Sequence, residues 1–126
     1  MARVTSPVRV DGVLLNIVPA TDNFPDLVVV MHQRWSVLYC DNLVEAKAAH
    51  GLTVYQDRTI YIDSNLAYDG KVDTLLHEVM HVIMDLGETR CWLPQESEEY
   101  VIRSISPKIL DFLRGNNTEW MYSEET

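Results

Sequence analysis

His77, Glu78 and His81 stand in the pattern H-E-x-x-H, inside the run T-L-L-H-E-V-M-H-V-I-M-D from Thr74 to Asp85. Residues four apart on an α-helix lie one above the other, so both imidazoles can reach a single cation. Glu78 is offset beside them, where it can reach a water bound to that cation. At about 100° per residue, Thr74, His77, Glu78, His81 and Asp85 share roughly a quarter to a third of the helix circumference. Leu75, Leu76, Val79, Val82, Ile83 and Leu86 take the opposite arc. The predicted chemistry is that of a divalent metal centre, and zinc suits imidazole plus carboxylate with an open position best. Two merely packed or solvated histidines would leave the intervening Glu, inside an apolar helix, without a reason.

Two histidines do not complete a catalytic zinc site, which takes three protein ligands and keeps one position for water. No histidine follows His81. The third ligand must therefore be an oxygen or come from upstream. The segment from about Gln95 to Arg114 reads as a second helix whose apolar stripe is Val101, Ile102, Ile105, Ile109 and Phe112. Glu98 lies at the centre of that stripe and Glu99 is rotated about 100° towards its edge. A carboxylate on a core-facing line is costly unless it is paired or metal-bound. Glu98 is the predicted third ligand, with Glu99 as the alternative. An acidic first turn favoured by the helix dipole explains Glu96 and Glu99 well and Glu98 less well.

Such a site activates water. The metal brings the bound water's pKa towards about 7 and polarises a carbonyl. Glu78 is the predicted general base, taking the water proton and passing it to the leaving amine. Asp85, one turn after His81, is the predicted outer partner orienting that imidazole. The oxyanion also needs a donor, for which Tyr61, Tyr100 and Arg103 stay open.

The elements that must position these groups read as follows. Val8 to Val18 is a β-hairpin turning at Asp11-Gly12. Pro19 to Asp26 is loop. Leu27 to Cys40 reads two ways: Val28-Val29-Val30 favours strand, yet Asp26 can cap a short helix to Arg34, and Trp35 to Cys40 is strand. Asn42 and Glu45 fit a capping box for a short helix that Gly51 closes, with His50 as its solvated end. Leu52 to Tyr55 and Thr59 to Asp63 form a second hairpin. Thr59, Ile60, Tyr61 and Ile62 are expected at the sheet edge beside the cleft, able to hold an extended peptide by strand addition. Asp69 is the expected N-cap of the H-E-x-x-H helix and Gly87 its end, with Glu88 to Pro94 as the connector onwards. Pro107 should start a new turn or kink the later helix. The acidic residues 118–126 form a tail, docked through Trp120 or otherwise frayed.

A chain of 126 residues that is 47% hydrophobic suits one domain, expected over residues 1–117. No apolar run reaches the roughly 18 residues of a membrane span. The first residues lack the apolar stretch of a signal peptide, so the expected compartment is cytoplasmic. Nineteen acidic against ten basic residues give a net charge of −9. That balance disfavours nucleic acid and anionic membranes as partners. Cys40 and Cys91 are not closely spaced, and are expected to be reduced rather than bridged or thiolate ligands.

Three stretches together carry a family likeness: Y-Q-D-R-T-I-Y-I-D (Tyr55 to Asp63), T-L-L-H-E-V-M-H-V-I (Thr74 to Ile83), and E-E-Y-V-I-R-S-I-S-P (Glu98 to Pro107) with L-R-G-N-N closing. They resemble the small zincin-like proteins of bacteriophages and prophages, related to the ImmA/IrrE-type metallopeptidases of the gluzincin group. The resemblance spans roughly Leu52 to Asn117, and residues 1–50 depart from it. It implies a minimal α+β zincin-like domain, with a small, mostly antiparallel sheet packed on the H-E-x-x-H helix and a second, Glu-bearing helix after it. It also implies a Zn2+ cofactor held by His77, His81 and a Glu of the Glu98-Glu99 pair, with Glu78 as base. The expected function is a zinc-dependent metallopeptidase acting on a peptide or protein in a bacterial host's cytoplasm. The alternative is a catalytically silent zinc-binding interaction or virion-associated protein that keeps the fold.

Overall fold

The structure is a computed structural model that describes residues 6–20, 23–87 and 93–121. It is a small α+β fold with one mixed six-stranded sheet and two long helices. β1 (Ser6–Val10) and β2 (Val13–Val18) form the first expected hairpin. Its turn residues Asp11 and Gly12 both take positive φ, at 51° and 81°. A two-residue turn of this hand matches the twist of the strands it joins.

β3 (Leu27–Val30) and β4 (Gln33–Cys40) form another hairpin, so the helical reading of Asp26 to Arg34 is overturned. Met31 and His32 make the turn at φ 49° and 71°, a conformation that residues with a Cβ seldom take. The β-branched run that follows Leu27 decides the segment through burial of Val28 and Val30 against the core. α1 (Leu43–Lys47) is shorter than expected and ends at Ala48, which is left-handed at φ 55°. The capping box is also overturned. Asn42 does not cap the helix; its Oδ1 accepts the Asn16 N–H at 2.8 Å and its Nδ2 donates to the Leu14 carbonyl at 3.0 Å. The side chain thus ties α1 to β2. Gly51, expected to close α1, opens the next strand instead.

β5 (Gly51–Val54) and β6 (Thr59–Asp63) are antiparallel, as expected of the second hairpin. The sheet order is β1-β2-β4-β6-β5, with β3 also on β4. β6 runs parallel to β4 and antiparallel to β5, so it lies inside the sheet and every one of its residues is buried. The expectation that Thr59, Ile60, Tyr61 and Ile62 form the substrate edge is therefore wrong. At this end of the sheet the edge strand is β5, with β1 at the other end. A hairpin alone does not say which arm is outermost, and the parallel β4–β6 pairing that decides it is a long-range contact.

α2 (Tyr68–Leu86) carries the H-E-x-x-H pattern across one face of this sheet. Val82, with Leu75, Val79 and Leu86, packs on Val37, Ile60 and Ile62. Each fully buried aliphatic side chain of this kind contributes about 1.5–3 kcal/mol. Tyr61 points to the other face, into a second core with Leu15, Cys40 and Leu43. Asp69 falls in the first turn of α2, not at its N-cap, which is Ala67. Gly87 closes the helix, its N–H donating to the Ile83 carbonyl at 2.8 Å.

α3 (Gln95–Gly115) runs antiparallel to α2, with Arg114 Nη2 3.4 Å from Asp69 Oδ1 at the far end. Pro107 removes the N–H that the Arg103 carbonyl would have accepted, yet the helix continues through it. The predicted stripe is only partly covered. Ile102 is buried along with Glu98 and Ser106, while Ile105 and Phe112 are exposed, because α3 packs on α2 rather than on the sheet. Glu119–Met121 form a short 3-10 turn in which Trp120 is exposed rather than docked. Cys91, most of the Glu88 to Pro94 connector and the last five residues lie outside the described residues. No helix among those described is long and apolar enough to cross a membrane.

Candidate metal centre

α2 places the His77 and His81 rings side by side, their centroids 5.0 Å apart. α3 brings Glu99 to them. Glu99 Oε2 lies 3.2 Å from His77 Nε2, and Glu99 Oε1 lies 2.9 Å from His81 Nε2. One donor atom from each of the three falls within 4.8 Å of the others, the only such His, Cys, Asp and Glu group among the described residues. The arrangement fits a small divalent cation. Zinc bonds of about 2.0–2.1 Å imply donors roughly 3.3 Å apart at the corners of a tetrahedron. The Glu99 carboxylate and the two ring nitrogens converge on one point and together could hold a metal ion.

The predicted ligand Glu98 has a different role. Its Oε2 is 2.7 Å from His81 Nδ1, on a residue only 1% exposed. A proton on Nδ1 would satisfy that buried carboxylate, holding the ring plane and leaving Nε2 free to face a metal ion. It is Glu99, one residue further round α3, that joins His77 and His81 in the group able to hold an ion. The apolar stripe marks the most buried carboxylate, and this deepest line of α3 meets the Nδ1 side of the His81 ring. Glu98 also holds the orienting position predicted for Asp85, which sits half-buried one turn on.

Burial raises the Glu99 pKa, but the His77 charge, the hydrogen bond from Arg103, and the charges of His81 and Arg103 outweigh it. The net result lies below the ordinary glutamate value. Arg103 Nε donates to Glu99 Oε2 at 2.8 Å. Of the three residues considered for oxyanion stabilisation, only Arg103 faces the cleft. Tyr61 is buried on the opposite side of the sheet, and Tyr100 points to solvent.

The cleft over the centre measures about 770 Å3 and has β5 as one wall and α3 as the other. Gly51, Thr53 and Tyr55 line the first wall; Gln95, Glu99, Arg103 and Ser106 line the second. Two residues on β5 carried no chemical signal in sequence. Thr53 Oγ1 donates to Glu78 Oε1 at 2.7 Å. Gly51 lies so close to α2 that an added Cβ would meet Thr74 Cγ2 at 2.6 Å and Glu78 Oε2 at 2.9 Å. A glycine opening a strand does signal close backbone approach, which was the available clue.

The pairing also shows which backbone groups are free. Asp63 N–H donates to the His50 carbonyl at 2.8 Å, so His50, Leu52 and Val54 turn their polar groups towards β6. Antiparallel alternation then directs those of Gly51 and Thr53 to the outer edge. His50 is not a ligand. Its Nδ1 pairs with Asp63 Oδ2 at 2.9 Å, and its cross-strand position puts it on the face of the sheet away from Glu78. Compared with models of protein families, with curated proteins and with solved structures, the chain matches none.

Proposed function

We propose that the chain is a zinc-dependent metallopeptidase with a minimal zincin-like fold, of the gluzincin kind its sequence resembles. The observation that carries this reading is the convergence of His77, His81 and Glu99 beside Glu78, under a free strand edge. Zinc held by the two imidazoles and Glu99 would supply Lewis-acid chemistry, making a water acidic near neutral pH and polarising a carbonyl. Glu78 takes the proton of the attacking water and delivers it to the leaving amine. Arg103, the one lysine or arginine lining the cleft, donates to the oxyanion. The outward N–H and C=O groups of Gly51 and Thr53 hold a peptide in extended form, as an added strand. The substrate is a peptide or protein, and the likeness to phage and prophage proteins points to a bacterial cytoplasm as its setting.

The test has two parts: metal content of protein purified without added zinc, and cleavage of an unbiased peptide library by wild type and Glu78→Gln. Zinc in both proteins, with cleavage lost only in the variant, is the expected result. Zinc in both with no cleavage by either would assign the chain to the silent metal-binding class instead.

A further inference from the structure

We infer that Thr53 is a positioning residue for Glu78, tying the base to the same strand on which a substrate would lie. The inference rests on the peptidase reading and adds a residue to it. Glu78 is 8% exposed, and its side chain has three rotatable bonds with several staggered settings open to it. β5 removes that freedom from two sides. The Thr53 hydroxyl donates to Oε1 at 2.7 Å. The Gly51 backbone stands so close to Oε2 that no Cβ fits between them. One oxygen is thus held by a donor, and the other is confined to the gap at the cleft wall.

Thr53 acts in two directions. Alternation along β5 sends its side chain to α2 and its N–H and C=O to the outer edge. A peptide bound along that edge would fasten the backbone of the residue whose hydroxyl orients the base. Substrate docking and base geometry then depend on a single residue. Catalytic groups must be held to within about 0.5 Å, and misplacement by roughly 1 Å costs on the order of 100-fold in rate.

Thr53→Val keeps the shape and deletes the donor; Thr53→Ser keeps the donor. With zinc loaded, Thr53→Val is expected to lose about 10- to 100-fold in kcat with KM within about twofold, and Thr53→Ser to recover most of the loss. Zinc content and melting temperature should match wild type in both. A second readout needs no turnover. Acetohydroxamate passes its proton to the base on binding the loaded site, so its affinity should fall in Glu78→Gln, fall less in Thr53→Val and return in Thr53→Ser. Wild-type kcat and hydroxamate affinity in Thr53→Val would overturn the inference. Equal losses in the Val and Ser variants would overturn it too, by showing a packing role. If wild type cleaves nothing while the hydroxamate series holds its order, the peptidase reading falls and the positioning role stands.

Discussion

Nδ1 of His81 lies 2.7 Å from the buried Oε2 of Glu98, while Nε2 of the same ring faces Oε1 of Glu99 at 2.9 Å. Two consecutive glutamates thus address the two nitrogens of one imidazole. In the proposed centre, one would set the proton and the other would complete the ligand set.

The two carboxylates should therefore fail differently. Glu99→Gln is expected to abolish stoichiometric zinc binding. Glu98→Gln keeps an acceptor for Nδ1–H but loses its charge, and should weaken zinc by about 10- to 100-fold. Chelator competition measures both. The reverse order of effects would return Glu98 to the ligand set.

Gly51→Ala tests the closeness of β5 and α2. The new methyl must displace Thr74 and Glu78, since it would otherwise sit 2.6–3.0 Å from their atoms. Overpacking of this kind costs about 1–3 kcal/mol. A lower urea midpoint should accompany a fall in kcat, and unchanged values of both would place the strand further from the helix.

Arg103→Ala should lower kcat by about 100- to 1,000-fold if its guanidinium stabilises the oxyanion, with Arg103→Lys intermediate. The side chain is largely exposed, so melting temperature should hardly move. A change confined to KM would make it a substrate contact instead.

Alkaline pH should destabilise the fold. Burial, with Asp41 and Asp63 nearby, pushes the Cys40 thiol from 9.0 up to about 12. Burial and then Asp26 push Tyr39 from 10.0 up to about 12, and its hydroxyl donates to the Pro25 carbonyl. The fold favours the protonated form of each. Their contribution is complete below about 9, the unfolded thiol's value, and is lost as pH rises towards about 12. Urea midpoints taken from pH 8 upwards should fall, and Cys40→Ala should delay the onset towards the unfolded tyrosine value. A flat profile in wild type would contradict this.

The parts of the fold legible in sequence were those fixed by local chemistry. Asp11-Gly12 announced its turn, and the H-E-x-x-H helix showed most of its core face, although Ile83 is exposed and Leu76 lines the cleft. The Met31-His32 turn was hidden because neither residue favours positive φ; the pairing of β3 with β4 imposes it. Asn42 had the residue type and spacing of a cap but spends its side chain on β2, a partner 26 positions away. The structure brings His77 and His81 together, as expected from a spacing that lies within one helix. The group holds Glu99, the alternative, rather than Glu98, and β6 lies inside the sheet rather than at its edge. Those depend on the rotation of α3 against α2 and on a parallel strand pairing, neither of which a single element encodes.

α3 rests on α2 with much of its outer apolar stripe uncovered, yet it provides both carboxylates that reach His81. Under the proposed function, loading the ion would also be a riveting step, clamping the outermost helix to the rest of the body. Amide protons of α3 should exchange more slowly once zinc is added, while those of β4 and β6, sealed between two cores, stay as they were.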